Sequence, residues 1–135
     1  MTLRLASLAA AVTLFCSSPI AAIAGDLVSP VGSWQLTTGE SRYDVVECGT
    51  DAICAKLTWL RDDERTAENL ALLGTYVVKG AKVRENKWKG TAIYEGKRVD
   101  ASMTMVDTDT MKLTGCQLLC QTMVLSRINT DVASR

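Results

Sequence analysis

Beyond Pro30 the hydrophobic and polar positions of the chain alternate with a period of two. Val99, Ala101, Met103 and Met105 fall on one face of the segment 98–106, while Arg98, Asp100, Ser102 and Thr104 fall on the other. Met111 and Leu113 continue the pattern. Ala55, Leu57 and Trp59 alternate with Cys54, Lys56 and Thr58, and Trp88, Gly90, Ala92 and Tyr94 alternate with Lys87, Lys89, Thr91 and Ile93. Turn residues separate these runs. The pattern predicts about eight short antiparallel strands between Ser33 and Ile128, arranged as a sandwich or a barrel. One stretch departs from it: 62–69 is polar and rich in acids, and 70–73 turns apolar. This segment reads either as a helical turn with Asp62 or Asp63 as N-cap or as a solvated loop. It lacks the ligand spacing and central glycine of a calcium loop, so its acids are expected to face water.

The same alternation tests the cysteines. A hairpin looping through 49–53 sets Cys48 opposite Cys54, Val45 opposite Leu57 and Tyr43 opposite Trp59. A hairpin looping through 117–119 sets Cys116 opposite Cys120, Leu113 opposite Met123 and Met111 opposite Leu125. A turn at Glu95-Gly96 sets Ala92 opposite Val99 and Trp88 opposite Met103. In each case apolar meets apolar, and a slip of one residue would send one partner's set to the wrong face. Two local disulfides are predicted, Cys48–Cys54 and Cys116–Cys120, each adding about 2 kcal/mol by loop entropy. Neither pair is a C-x-x-C or opens a helix, so a structural role is expected over a redox one.

The N-terminus bears on location. Arg4 supplies a short positive region, residues 5–15 are apolar, and Ala22-Ile23-Ala24 fits a small-residue cleavage site. This reads as a signal peptide over 1–24, cleaved after Ala24, with a single domain over 25–135. The apolar stretch is too short to span a bilayer as a helix. Cys16 follows Phe15, which does not suit lipoprotein processing, so Cys16 is expected to leave with the leader. The four remaining cysteines are an even set behind a leader, which points to an exported, oxidising compartment such as the periplasm.

Composition narrows the chemistry. Lys plus Arg and Asp plus Glu each total 15, and 47% of positions are hydrophobic, as in one neutral globular domain. The chain has no histidine. That excludes His-based acid–base catalysis, Ser-His-Asp and Cys-His arrangements, and imidazole metal sites. No Gly-rich phosphate loop follows a strand, and Asp107 and Asp109 sit in an expected turn, where Asp serves the backbone. No cofactor or metal is expected. Lys79, Lys82, Arg84, Lys87 and Lys89 surround Trp88 in a basic run that reads as a solvated strand face, and no nucleic-acid partner is expected. Tyr43, Trp59, Trp88 and Tyr94, with Met103, Met105 and Met111, either line an apolar pocket or fill the interior.

Gly32-Ser33-Trp34 opens the first strand, and Arg127 near the end of the last shares the parity of Leu125 and Met123. In lipocalin-like barrels a tryptophan and an arginine so placed stack at the closed end. Here Trp34 and Arg127 would form that pair, a cation–π contact worth about 1–2 kcal/mol. From Gly32 to Arg127 the chain resembles the DUF2147 family of small exported bacterial proteins. Gly32 and Trp34, Cys48, Cys54 and Lys56, Leu72-Leu73-Gly74, Trp88-Lys89-Gly90, Ile93-Tyr94, Gly96-Lys97 and Gly115-Cys116 carry the resemblance. Ala55 stands where that family usually has glycine, the turn after Tyr94 is short and lacks proline, and Leu125 replaces a frequent tryptophan. The resemblance implies an up-and-down, lipocalin-like β-barrel and brings no established reaction. The expected protein is a monomeric, non-enzymatic envelope protein that holds a small apolar ligand or acts through its rim. The alternative is a module that binds an envelope protein through the 61–73 segment. Lys56 and the Trp59 strand are the positions to mutate first should an activity emerge.

Overall fold

The computed structural model describes residues 28–129, so the expected leader and its cleavage site lie outside the described residues. The chain forms eight strands: β1 (Gly32–Leu36), β2 (Ser41–Gly49), β3 (Ala52–Leu60), β4 (Tyr76–Arg84), β5 (Lys87–Tyr94), β6 (Lys97–Asp107), β7 (Thr110–Cys116) and β8 (Cys120–Arg127). Each pairs antiparallel with the next, and β8 returns to pair with β1, closing the barrel. A 3-10 turn at Asp62–Glu64 and a short helix, α1 (Ala67–Leu72), join β3 to β4. Among the described residues no helix is long and apolar enough to cross a membrane.

Turn chemistry sets the tight hairpins. Glu95 and Gly96 hold φ of 47° and 72°, the doubly left-handed pair that matches the twist of a two-residue hairpin. Asp51 and Asn86 take positive φ in the β2–β3 and β4–β5 turns, a conformation those short polar side chains tolerate. Asp107 accepts a hydrogen bond from the Asp109 N–H at 2.9 Å and so fixes the β6–β7 turn.

Two of the registers expected from alternation are found. Trp88 pairs with Met103 and Ala92 with Val99; Leu113 pairs with Met123 and Met111 with Leu125. Both expected disulfides form as well. The β2–β3 register differs. Tyr43 lies opposite Leu57 and Val45 opposite Ala55, while Arg42 lies opposite Trp59, with bulges between Arg42 and Tyr43 and between Glu47 and Gly49. The five-residue loop is replaced by a turn at Thr50-Asp51, and Cys48 reaches Cys54 from the bulge rather than from the opposite position. A bulge adds one residue to one strand and reverses parity beyond it. Simple alternation therefore fails past Leu57: Leu60 turns inward and Trp59 turns outward, where Arg42 stacks over its ring at 4.5 Å.

The polar segment also differs from expectation. α1 is capped by Thr66, whose side chain accepts the Asn69 N–H, and not by Asp62 or Asp63. Asp63 instead pairs with Arg61, with Arg61 Nε 2.6 Å from Oδ1. A threonine two residues beyond the 3-10 turn serves as the cap because the aspartates are already committed to that turn.

Candidate functional site

In an up-and-down barrel alternate connections gather at the same end. The β2–β3, β4–β5 and β6–β7 turns, together with the chain entering β1 and leaving β8, make one end. There Trp34 is fully buried, and its indole N–H donates to the Pro30 carbonyl at 2.9 Å. The Arg127 guanidinium lies 4.3 Å from the Trp34 ring centroid, as expected. Its Nε, Nη1 and Nη2 donate to the carbonyls of Thr108, Val31 and Ser29 at 2.8, 2.8 and 2.6 Å. Two segments distant in sequence from Arg127, the entering chain and the β6–β7 turn, are thus tied to one planar cation. A Cβ on Gly32 would stand 2.6 Å from Nη1, and Gly32 also holds φ of 141°, so the G-x-W opening leaves room for the guanidinium.

Inward side chains behind this closure fill the barrel. Trp88, Met103, Met105, Met111 and Leu125 are all buried there. Flexible methionines suit such a space because they adapt to irregular gaps. A separate cleft of about 430 Å³ lies at this end, between the entering chain and the β2–β3 and β4–β5 turns, and reaches Ile53 and Trp88 of the core.

The other end is different. The β1–β2, β3–β4, β5–β6 and β7–β8 connections surround a cavity of about 830 Å³ that runs into the barrel. Its walls include Leu57, Leu60, Val78, Ala92, Val99 and Leu113. This volume falls within the range of small-molecule sites. Small inward residues such as Ala92 and Gly115 leave the space that tryptophan and methionine occupy at the closed end.

Polar groups gather at the mouth. The Ser41 hydroxyl, buried, donates to Tyr43 Oη at 2.9 Å, and burial pushes the Tyr43 phenol up, opposed by this bond and reinforced by Glu40. Tyr94 on β5 donates to Gln121 Oε1 on β8 at 2.8 Å, spanning β6 and β7. Glu68 of α1 lies close against Gly96, so that a side chain there would collide with Glu68 Oε1. α1 therefore sits beside the β5–β6 turn. Beyond it the β7–β8 tip, closed by Cys116–Cys120, presents Leu118 and Leu119 at 101% and 82% exposure.

The residues expected to line one pocket are split by this architecture. Tyr43 and Tyr94 line the cavity. Trp88, Met103 and Met111 belong to the filled half, and Trp59 turns outward because Thr58 is an extra residue in β3 opposite Arg42 and Tyr43. Trp88, being inward, does not face outward with the lysines around it. The mouth residues Glu40, Glu64, Glu68, Glu95 and Gln121 lay outside the pocket reading, since all but Gln121 sit in or beside connections that alternation does not describe. Strand order carries a signal for them: once eight strands are placed up and down, every odd-numbered connection must meet at this end.

Comparison with known proteins agrees with the fold. No curated protein matches the chain. A solved structure described as protein HP1028 from Helicobacter pylori, belonging to the lipocalin family, superposes with a TM-score of 0.60. It is 15% identical, and the match covers 78% of this chain and 86% of that one. A redesigned β-barrel also matches, with a TM-score of 0.48 at 11% identity over 73% of this chain and 90% of that one. The barrel is thus lipocalin-like in fold. A family model described as an uncharacterized protein conserved in bacteria matches residues 32–127, from the glycine beneath the guanidinium to the arginine itself, and the chain belongs to this family, DUF2147.

Proposed function

We propose that the protein is an exported, non-enzymatic binding protein that holds one small apolar ligand in the open half of its barrel. The observation that carries this reading is the cavity of about 830 Å³, apolar in its walls and reached from one end of an otherwise closed sheet. Its large polar mouth and aliphatic interior suit a ligand with a tail and a head. Export to the periplasm, with cleavage after Ala24 and a monomeric product, belongs to the same proposal. Two disulfides support it, since such bonds persist in oxidising compartments.

Titration of the unreduced protein with the neutral dye N-phenyl-1-naphthylamine tests the binding reading. Saturable fluorescence enhancement at one dye per chain is expected; a linear, unsaturable response removes the interior as a site. Mass spectrometry of the protein from its host's envelope tests the rest, the expected mass being that of residues 25–135 less about four hydrogens.

A second reading, docking of an envelope protein on the 61–73 segment, draws support from the surface: no residue of the 3-10 turn or α1 is buried. Capture of an envelope partner that is lost when 62–69 is replaced by a Gly-Ser linker would favour it. Capture unchanged by that replacement would end it.

A further inference from the structure

We propose that the cavity selects amphiphiles with a positively charged head, a refinement that rests on the open half being a ligand site. Its lining is mostly aliphatic or uncharged, and every charged residue in it has one sign: Glu40, Glu64, Glu68 and Glu95 line the cavity, and no described lysine or arginine does. These glutamates come from three different connections, β1–β2, β3–β4 and β5–β6, so they ring the mouth. Among the described residues they form no group able to hold a metal ion, and none has an ion-pair partner within 4.0 Å. Arg61, in the same connection as Glu64 and Glu68, is engaged by Asp63 and by the Thr38 carbonyl. Arg65 and Lys97 are exposed and outside the lining.

The physical consequence is a field confined to a concave mouth with apolar walls below it. Such a cleft focuses potential and favours a counter-charge over bulk water. An aliphatic tail enters between Leu57, Val78, Ala92 and Leu113, while its head rests among the carboxylates. Tyr43 and Tyr94 add aromatic rings to the lining, and a quaternary ammonium is attracted to the negative face of such rings. A carboxylate or phosphate head on the same tail would meet no opposite charge in the cavity lining.

Isothermal titration of the unreduced protein with three twelve-carbon amphiphiles below their critical micelle concentrations tests this. The probes are dodecyltrimethylammonium, dodecyl maltoside and dodecyl sulfate. The cation is expected to bind about tenfold or more tightly than the sulfate at low salt, the maltoside falling between, and the gap to narrow as salt rises past a Debye length of about 10 Å. The combined variant Glu40→Gln, Glu64→Gln, Glu68→Gln, Glu95→Gln should bring cation and sulfate within about twofold while leaving the maltoside unchanged. Equal affinity for cation and sulfate in the native protein, or preference for the sulfate, overturns the charge selection while leaving the cavity intact. Failure of all three to bind overturns the cavity reading beneath it.

Discussion

The two ends of this barrel are built from the same sheet and solve opposite problems. At one end a tryptophan, an arginine and a glycine interlock, and the entering chain, β6–β7 turn and β8 are bound to a single guanidinium. At the other end the inward residues shrink, the connections lengthen into a helix and a disulfide-closed tip, and the interior opens. Closing eight strands gives an interior that side chains can just fill or that can leave room for one ligand. Here one half takes each course. The difference teaches that packing and capacity are separated along the barrel axis: the tryptophan, arginine and methionines crowd one half, and the larger cavity occupies the other.

If so, substitutions should divide by end. Trp34→Ala should cost most, about 3–5 kcal/mol, because it removes a buried ring and strands a guanidinium, and denaturant unfolding should show it. A loss under about 1 kcal/mol would mean that the closure is not what holds the barrel. Removing the open-end disulfide by Cys116→Ser with Cys120→Ser should cost about 2 kcal/mol by the same measurement, and leave the β1–β8 seam intact by hydrogen exchange. Gly32→Ala comes next, at about 1–2 kcal/mol, from displacement of Arg127 Nη1 and an unfavourable φ.

The smallest effect concerns pH. Burial, chiefly, and Glu40 raise the Tyr43 phenol above its ordinary value, against the Ser41 hydrogen bond. The folded state then keeps its proton at a pH where the unfolded chain has released it. Stability from this group is level below the unfolded value of about 10 and falls as pH climbs through the raised folded value. Tyr43→Phe should flatten the alkaline decline above about pH 10, visible as a smaller loss of Tm than in the native protein. An unaltered decline would show that Tyr43 ionisation is not coupled to folding.

Much of the closed end was legible in the sequence. The parity of Arg127 with Leu125 and the pairing of Met111 with Leu125 follow from period-two alternation, which holds wherever strands run without bulges, while the role of Trp34 comes from the resemblance to lipocalin-like barrels. The open end was less so. Thr58, an extra residue of β3 opposite Arg42 and Tyr43, reverses Trp59, and no local pattern announces such a bulge. The helix cap moved to Thr66 because Asp62 and Asp63 were occupied by a turn that alternation does not describe. The ring of glutamates is spread over three connections, and only the topology brings them together. Tyr43 and Tyr94 were read as pocket residues and do line the cavity, whereas Trp88, Met103 and Met111 share their inward parity but sit deeper. Parity gives the face of a residue and not its height along the barrel.

The separation of the two halves is tested most directly by a matched pair of filling substitutions, Ala92→Phe in the cavity wall and Ala55→Phe at a buried position outside the cavity lining. Stability and neutral-dye affinity are measured on both. A ring at Ala92 should occupy open space, changing stability by less than about 1 kcal/mol while weakening the dye about tenfold or more. A ring at Ala55 should meet packed neighbours and cost about 1–3 kcal/mol, with dye affinity retained in the folded protein. Equal loss of stability at both positions, with dye binding indifferent to Ala92→Phe, would contradict an open half and leave a barrel filled along its whole length.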